Sequence, residues 1–186
     1  MNKLIITPTS LSGLSLVKRD PLQDTRGYFV RLFCRDELSL LGWNTPIAQI
    51  NLSYTEKKGT IRGMHFQHPP HAEKKLLFCL EGAIQDIVID IRRGSSTFLQ
   101  NYTVTLSEEN DLGLHIPEGF AHGFQTVTDS VKLLYCHSVP YTPSAEDGIN
   151  PLDPQLALPW PLPVSEISEK DKNFHYLNNN FEGIEP

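Results

Sequence analysis

The feature that most constrains this chain is the run Ala83-Ile84-Gln85-Asp86-Ile87-Val88-Ile89-Asp90-Ile91, which alternates as a half-buried strand does. It stands within a succession of short β-rich runs. Strands are expected at 14–18, 27–33, 47–54, 60–66, 75–81, 83–91, 101–106, 112–116, 122–127 and 131–138. Turn chemistry at Asp20-Pro21, Arg26-Gly27 and Arg93-Gly94 punctuates them, and Glu81-Gly82 reads as a hairpin turn. Many short antiparallel strands with regular turns predict an all-β sandwich or jelly roll. Helix is confined to 36–42, capped by Asp36 and ended by Gly42, and to a short turn near 168–173. After residue 139 the chain is rich in Pro and acidic residues and is expected to wrap the surface in extended form. Nothing resembles a linker or a repeat, so residues 1–186 are expected to form one domain.

Composition narrows the function classes. A formal charge of -6 argues against a broad nucleic-acid surface, though not against a local basic pocket. Cys34, Cys79 and Cys136 are odd in number and have no zinc spacing, which points to a reducing cytoplasm. The Leu4-Ile5-Ile6 run, broken by Pro8, is too short for a signal peptide, and no apolar run could span a membrane.

Two segments carry the chemistry. Residues 62–75 read Arg-Gly-Met-His-Phe-Gln-His-Pro-Pro-His-Ala-Glu-Lys-Lys, and residues 117–124 read Pro-Glu-Gly-Phe-Ala-His-Gly-Phe. An Arg, a Lys and two His converging on one pocket suit an anionic substrate that must lose a proton. Arg62 holds the anion, a His takes the proton and Lys75 steadies the oxyanion. The spacing also follows the cupin pattern in part. Pro117, Gly119 and His122 supply its second motif, and Gly59 and His65 begin its first. Its other two metal-ligand positions hold Gln67 and Lys75, and an ammonium in a first shell repels a divalent cation. An acid–base pocket without metal is therefore expected.

The ordered segments Asp24-Thr-Arg26-Gly27-Tyr-Phe29, Gln49-Ile-Asn51, Arg62-Gly-Met-His65-Phe-Gln67, Pro70-His-Ala-Glu-Lys-Lys75, Asp90-Ile-Arg92-Arg-Gly94-Ser, Ile116-Pro-Glu-Gly-Phe-Ala-His122-Gly-Phe, Leu134-Tyr135 and Ser168-Glu-Lys-Asp171 cover most of the chain. By these the sequence resembles the dTDP-4-dehydrorhamnose 3,5-epimerase family of nucleotide-sugar enzymes. The resemblance implies an all-β, cupin-type double-stranded β-helix with short peripheral helices. It also implies a cofactor-free homodimer that inverts C3, C5 or both beside the 4-keto group of a nucleoside-diphosphate 6-deoxyhexose.

The same resemblance assigns roles. His65 would be the base, Tyr135 the acid on the opposite face, and Asp171 the carboxylate that orients His65. Lys75 would face the C4 oxygen. Arg26 and Arg62 would clamp the pyrophosphate, and Phe29, Gln49 and Asn51 would line the base and ribose. His122 would hold a sugar or phosphate oxygen, with Tyr141, Glu146 and Lys170 at further substrate contacts.

Departures bear on the substrate. Arg31 stands where the family usually has a Glu that contacts the nucleotide. A donor-only cation in place of an acceptor reverses the local hydrogen-bond demand, unless the side chain turns to solvent. Ile50 and Leu52 flank Asn51 in place of Asp and His, Cys136 replaces the Lys after the tyrosine, and a tail aromatic is lost near Pro151. The chemistry is kept while the periphery changes, which allows an altered sugar or base. Two other readings are a metal-dependent cupin, disfavoured by Lys75, and a silent nucleotide-sugar binding module, disfavoured by intact His65, Tyr135 and Asp171. His71 is read as a structural or rim residue, and His68, His115, His137 and His175 as having no site role.

Overall fold

The computed structural model describes residues 3–178 and 180–186. The chain opens with β1 (Leu4–Pro8), β2 (Ser15–Arg19), β3 (Leu22–Asp24) and β4 (Gly27–Phe29). A single helical turn, α1 (Arg35–Leu38), continues as a 3-10 turn at Ser39–Leu41. Then follow β5 (Gln49–Thr55), β6 (Thr60–Gln67), β7 (Lys75–Glu81), β8 (Ala83–Asp90), β9 (Asn101–Ser107), β10 (Leu112–Ile116), β11 (Phe120–Thr126) and β12 (Val131–His137). The tail contributes β13 (Glu146–Gly148), β14 (Glu166–Ile167) and α2 (Glu169–Lys172).

Two antiparallel sheets face each other. One runs β1-β2-β10-β7-β12-β5, and the other β13-β6-β11-β8-β9 with β14 added parallel to β6. Alternation along each strand decides what faces the interior. Leu77 and Cys79 of β7, Ile84 and Val88 of β8, Phe124 of β11 and Leu133 of β12 pack between the sheets. The intervening Leu76, Phe78 and Cys136 pack outward under Leu38 and Trp43. Ile87, Ile89 and Ala121, on the outer face of the second sheet, are covered by Ile149, Leu158, Leu177 and Ile184 from the tail.

The jelly-roll architecture is as expected, with local differences. The expected strand 27–33 stops at Phe29, because among the described residues no strand pairs with 30–33. Leu4–Pro8, read only as a short apolar run, is a strand because β2 offers it an edge. The expected helix at 36–42 is one α turn and one 3-10 turn. Cys34, not Asp36, is its N-cap, with no side-chain hydrogen bond, while Gly42 ends it in the left-handed conformation as expected. Glu81-Gly82 does not close a hairpin: β7 and β8 lie in different sheets, so Gly82 turns a corner between layers. The tail is more than a surface wrap, since its apolar side chains complete the second core.

Candidate active site

The alternation that fills the sandwich with apolar groups brings polar ones to its mouth. On β7 the inward series is Lys75, Leu77, Cys79, and on β12 it is His137, Tyr135, Leu133. A cleft of about 990 Å³ opens there, lined by both sheets and by the tail.

On the β6 wall, His65 Nε2 lies 2.8 Å from Asp171 Oδ1. Asp171 is buried on α2, and its Oδ2 accepts the backbone N–H of Gly63 at 3.1 Å. Ser168 caps α2 by accepting the Asp171 N–H, so this short turn is held where the carboxylate meets the imidazole. Burial alone would raise the Asp171 carboxyl. The His65 hydrogen bond and charge, the Gly63 N–H and Ser168 outweigh it and hold the carboxyl below the usual range. With Nε2 engaged, Nδ1 is the His65 ring nitrogen left for a substrate. Gly63 sits at φ 131°, and a Cβ there would lie 2.5 Å from Gly123 Cα, so the close passage of β6 past β11 requires glycine.

Tyr135 and Lys75 come from the other sheet and line the same cleft. Burial pushes the Tyr135 hydroxyl well above its ordinary value, which keeps it a proton donor across neutral pH. Lys75 Nζ lies 3.2 Å from Glu73 Oε1. His122 is buried and its Nε2 lies 2.8 Å from Asp86 Oδ2, forming a second imidazole–carboxylate pair in the floor.

At the rim, Arg62 donates from Nε to Thr55 Oγ1 at 3.0 Å and from Nη2 to the Tyr54 carbonyl at 3.2 Å. Glu146 receives the Tyr141 hydroxyl and the Lys170 ammonium, each at 2.5 Å. Burial would raise the Glu146 carboxyl, but these two partners hold it low. Asn51, Tyr141, Glu146 and Lys170 all line the cleft, as expected.

Gln49 is not among the residues that line the cleft. It lies beside the cleft, with its Oε1 accepting the Tyr141 N–H at 2.8 Å. Arg26 and Phe29 do not line this chain's cleft: Phe29 is 73% exposed, and Arg26 is exposed and paired with Asp24. Arg31 does not line the cleft, and its side chain is 38% exposed. It pairs with Glu37, whose carboxylate also accepts the Lys3 and Leu4 N–H groups. His137, assigned no role from sequence, lines the cleft with Glu73, and Asp86 was also missed. Period-two counting from Tyr135 and Lys75 puts His137 and Glu73 on the same face, and that signal was available. His115 is a core residue, fully buried beside Trp43 and lowered to about 4 by burial.

The cupin ligand positions do not suit a metal. The Gln67 amide is spent on the His71 carbonyl and the Thr142 N–H, and Lys75 brings a cation. Among the described residues no group of three His, Cys, Asp or Glu side chains could hold one.

The family model for dTDP-4-dehydrorhamnose 3,5-epimerase matches residues 8–179. The chain belongs to this family. The dTDP-4-dehydrorhamnose 3,5-epimerase of Salmonella typhimurium is 36% identical over 170 residues, covering 90% of this chain and 92% of the relative. The Bacillus anthracis dTDP-4-dehydrorhamnose 3,5-epimerase, solved with TDP and PPi bound, superposes with a TM-score of 0.89 at 34% identity, covering 94% of this chain and 99% of that one. A 3'-monoepimerase from Streptomyces bikiniensis, solved with dTDP-quinovose, superposes at 0.85 with 30% identity, covering 91% and 86%. Members of this epimerase family similar to the chain thus include enzymes named for two centres and for one. Among the described residues no helix is long and apolar enough to cross a membrane.

Proposed function

We propose that this epimerase uses His65 and Tyr135 as base and acid on a dTDP-linked 4-keto-6-deoxyhexose. The observation that carries the reading is the pairing of His65 with Asp171 on one wall and the presence of Tyr135 and Lys75 on the other. His65 Nδ1 takes the proton from a carbon beside the ketone, and the C–H electron pair moves into an enolate. Lys75 faces the enolate oxygen, and Asp171 stabilises the imidazolium. Tyr135 returns a proton to the opposite face, which inverts the carbon. Solvent then reprotonates the tyrosinate and takes the proton from His65, so nothing is oxidised or reduced. Arg62, at the rim, meets the diphosphate.

A homodimer fits the same reading. Tyr28, Phe29, Ile50, Leu52 and Tyr54 are more than half exposed, an apolar surface that a second copy would cover. Arg26 and Phe29, on the hairpin β3–β4, would then serve the neighbouring cleft. No step calls on a cofactor, and residues 1–186 form a single epimerase domain, expected in the cytoplasm.

The test is incubation with dTDP-4-keto-6-deoxyglucose in deuterated water, following exchange at C3 and C5. His65→Ala is expected to bind dTDP as the wild type does and to lose about a hundredfold to ten-thousandfold in exchange rate. Exchange at the wild-type rate would remove His65 from the role of base.

A further inference from the structure

Glu73 and His137 lie in the cleft wall, yet neither takes part in the proton transfer described above. The Glu73 carboxylate is almost fully buried and has two partners: Lys75 Nζ at 3.2 Å and His137 Nδ1 at 2.7 Å. His137 pairs directly across the ladder with Lys75, so Glu73 bridges side chains on two neighbouring strands. Burial would raise the Glu73 carboxyl. The His137 hydrogen bond and the Lys75 charge outweigh it and keep the group ionised. An ionised carboxylate only accepts, so His137 Nδ1 is the donor.

The opposite edge of the imidazole completes the chain. His137 Nε2 lies 3.4 Å from Asn51 Nδ2. An amide NH2 only donates, so Nε2 accepts, and the Asn51 carbonyl oxygen stays free of the ring. The His137 ring also stacks on Tyr135, with centroids 6.1 Å apart and planes at 24°. Buried charges held this way add little net stability, so their effect lies in where they hold their neighbours.

We propose that Glu73 and His137 are a positioning pair that sets two substrate contacts at once. One arm holds the Lys75 ammonium for the sugar oxyanion. The other holds Asn51 so that its carbonyl oxygen is the group offered to the nucleotide, which favours a ligand N–H or hydroxyl there. The first arm rests on the role proposed for Lys75. The second rests on hydrogen-bond polarity alone.

The experiment compares wild type, Glu73→Gln, His137→Phe and the double variant. It reads kcat and KM with dTDP-4-keto-6-deoxyglucose, and dTDP affinity by calorimetry. Glu73→Gln is expected to lower kcat about tenfold, because a misplaced ammonium loses most of its effect on the transition state. His137→Phe keeps an aromatic ring against Tyr135. It is expected to weaken dTDP binding about fivefold with a smaller change in kcat. The double variant should lose less than the product of the two, because the residues act as one unit. Nitrogen-15 spectra of the wild type should show His137 protonated at Nδ1.

Single variants with kcat, KM and dTDP affinity all within twofold of wild type would reduce the pair to a structural hydrogen bond and overturn the proposal. Should Glu73→Gln not fold, His137→Phe and the nitrogen spectrum decide: unchanged dTDP affinity, or a proton on Nε2 alone, overturns it. Lys75→Met is the control for the underlying reading. Full activity in that variant rejects the role of Lys75, while dTDP affinity in His137→Phe still judges the Asn51 arm.

Discussion

Arg31 shows how one side chain can be redirected by a neighbour six residues along the chain that is itself anchored to a distant strand. Its guanidinium meets Glu37, and Glu37 in turn accepts the N–H groups that begin β1. Substituting Arg31 should therefore act on stability before it acts on nucleotide choice. Arg31→Ala leaves the Glu37 carboxylate in place with its backbone donors but without its cation. It is expected to cost about 1–2 kcal/mol, read as a lower denaturation midpoint, with the dTDP:UDP affinity ratio unchanged. A changed ratio at unchanged stability would return Arg31 to nucleotide selection. Asp90 illustrates the same principle with a pH signature. Burial would raise its carboxyl, but Arg92, Ser95 and Thr97 hold it at about 2. A carboxyl depressed on folding contributes stability that is complete above its unfolded value. That contribution is lost as pH falls from about 4 through about 2. Asp90→Asn should then cost about 2 kcal/mol at neutral pH, with the gap to wild type narrowing in denaturation series toward pH 2.

Among the elements, β6 has the most demanding position. It carries His65 and Arg62, pairs with β11, β13 and β14, and passes β11 at a distance only two glycines permit. Gly63 also donates the N–H that fixes the second Asp171 oxygen. Gly63→Ala would drive a Cβ to 2.5 Å from Gly123 Cα in a backbone conformation that L side chains rarely adopt. It is expected to destabilise by about 3 kcal/mol or more, and to lower activity further than the loss of folded protein accounts for, because Asp171 is displaced. A thermal melt within about 2 °C of wild type would contradict the close approach. The strand pattern was largely legible, since β-rich runs and the turn signals between them locate β7, β8 and β10 to the residue or nearly so. The turn at Gly82 was not, because turn chemistry looks alike whether the next strand pairs with the last or crosses to the other sheet.

At the scale of the molecule, two sheets and a tail enclose one cleft, and the tail supplies Glu146, Lys170 and Asp171 to it. The cupin scaffold commonly carries a metal, but here Lys75 and the committed Gln67 amide replace two ligands. Exhaustive chelation is expected to leave turnover within about twofold of the untreated enzyme, a negligible change in free energy. A stoichiometric metal whose removal abolishes turnover would reject this. The same packing disposes of the cysteines. Burial raises Cys79 and Cys136 to about 11, so both remain inert thiols.

Strand-like runs and turn chemistry indicated the fold class in the sequence, and the ordered motifs indicated the family, whose resemblance implies the set His65, Lys75, Tyr135 and Asp171. These are local properties: a residue type, its spacing and the face it occupies on a strand. Tertiary structure decided what local properties cannot carry. The tail became core because Ile149, Leu158, Leu177 and Ile184 meet the outer face of a sheet far away in sequence. Arg31 left the site because Glu37 stands beside it. His137 joined the site because ladder register sets it opposite Lys75, with Glu73 between them. The tail and His137 pairings join segments far apart in sequence and exist only once the strands have assembled, while Glu37 can hold Arg31 because its carboxylate is anchored by the N–H groups of Lys3 and Leu4.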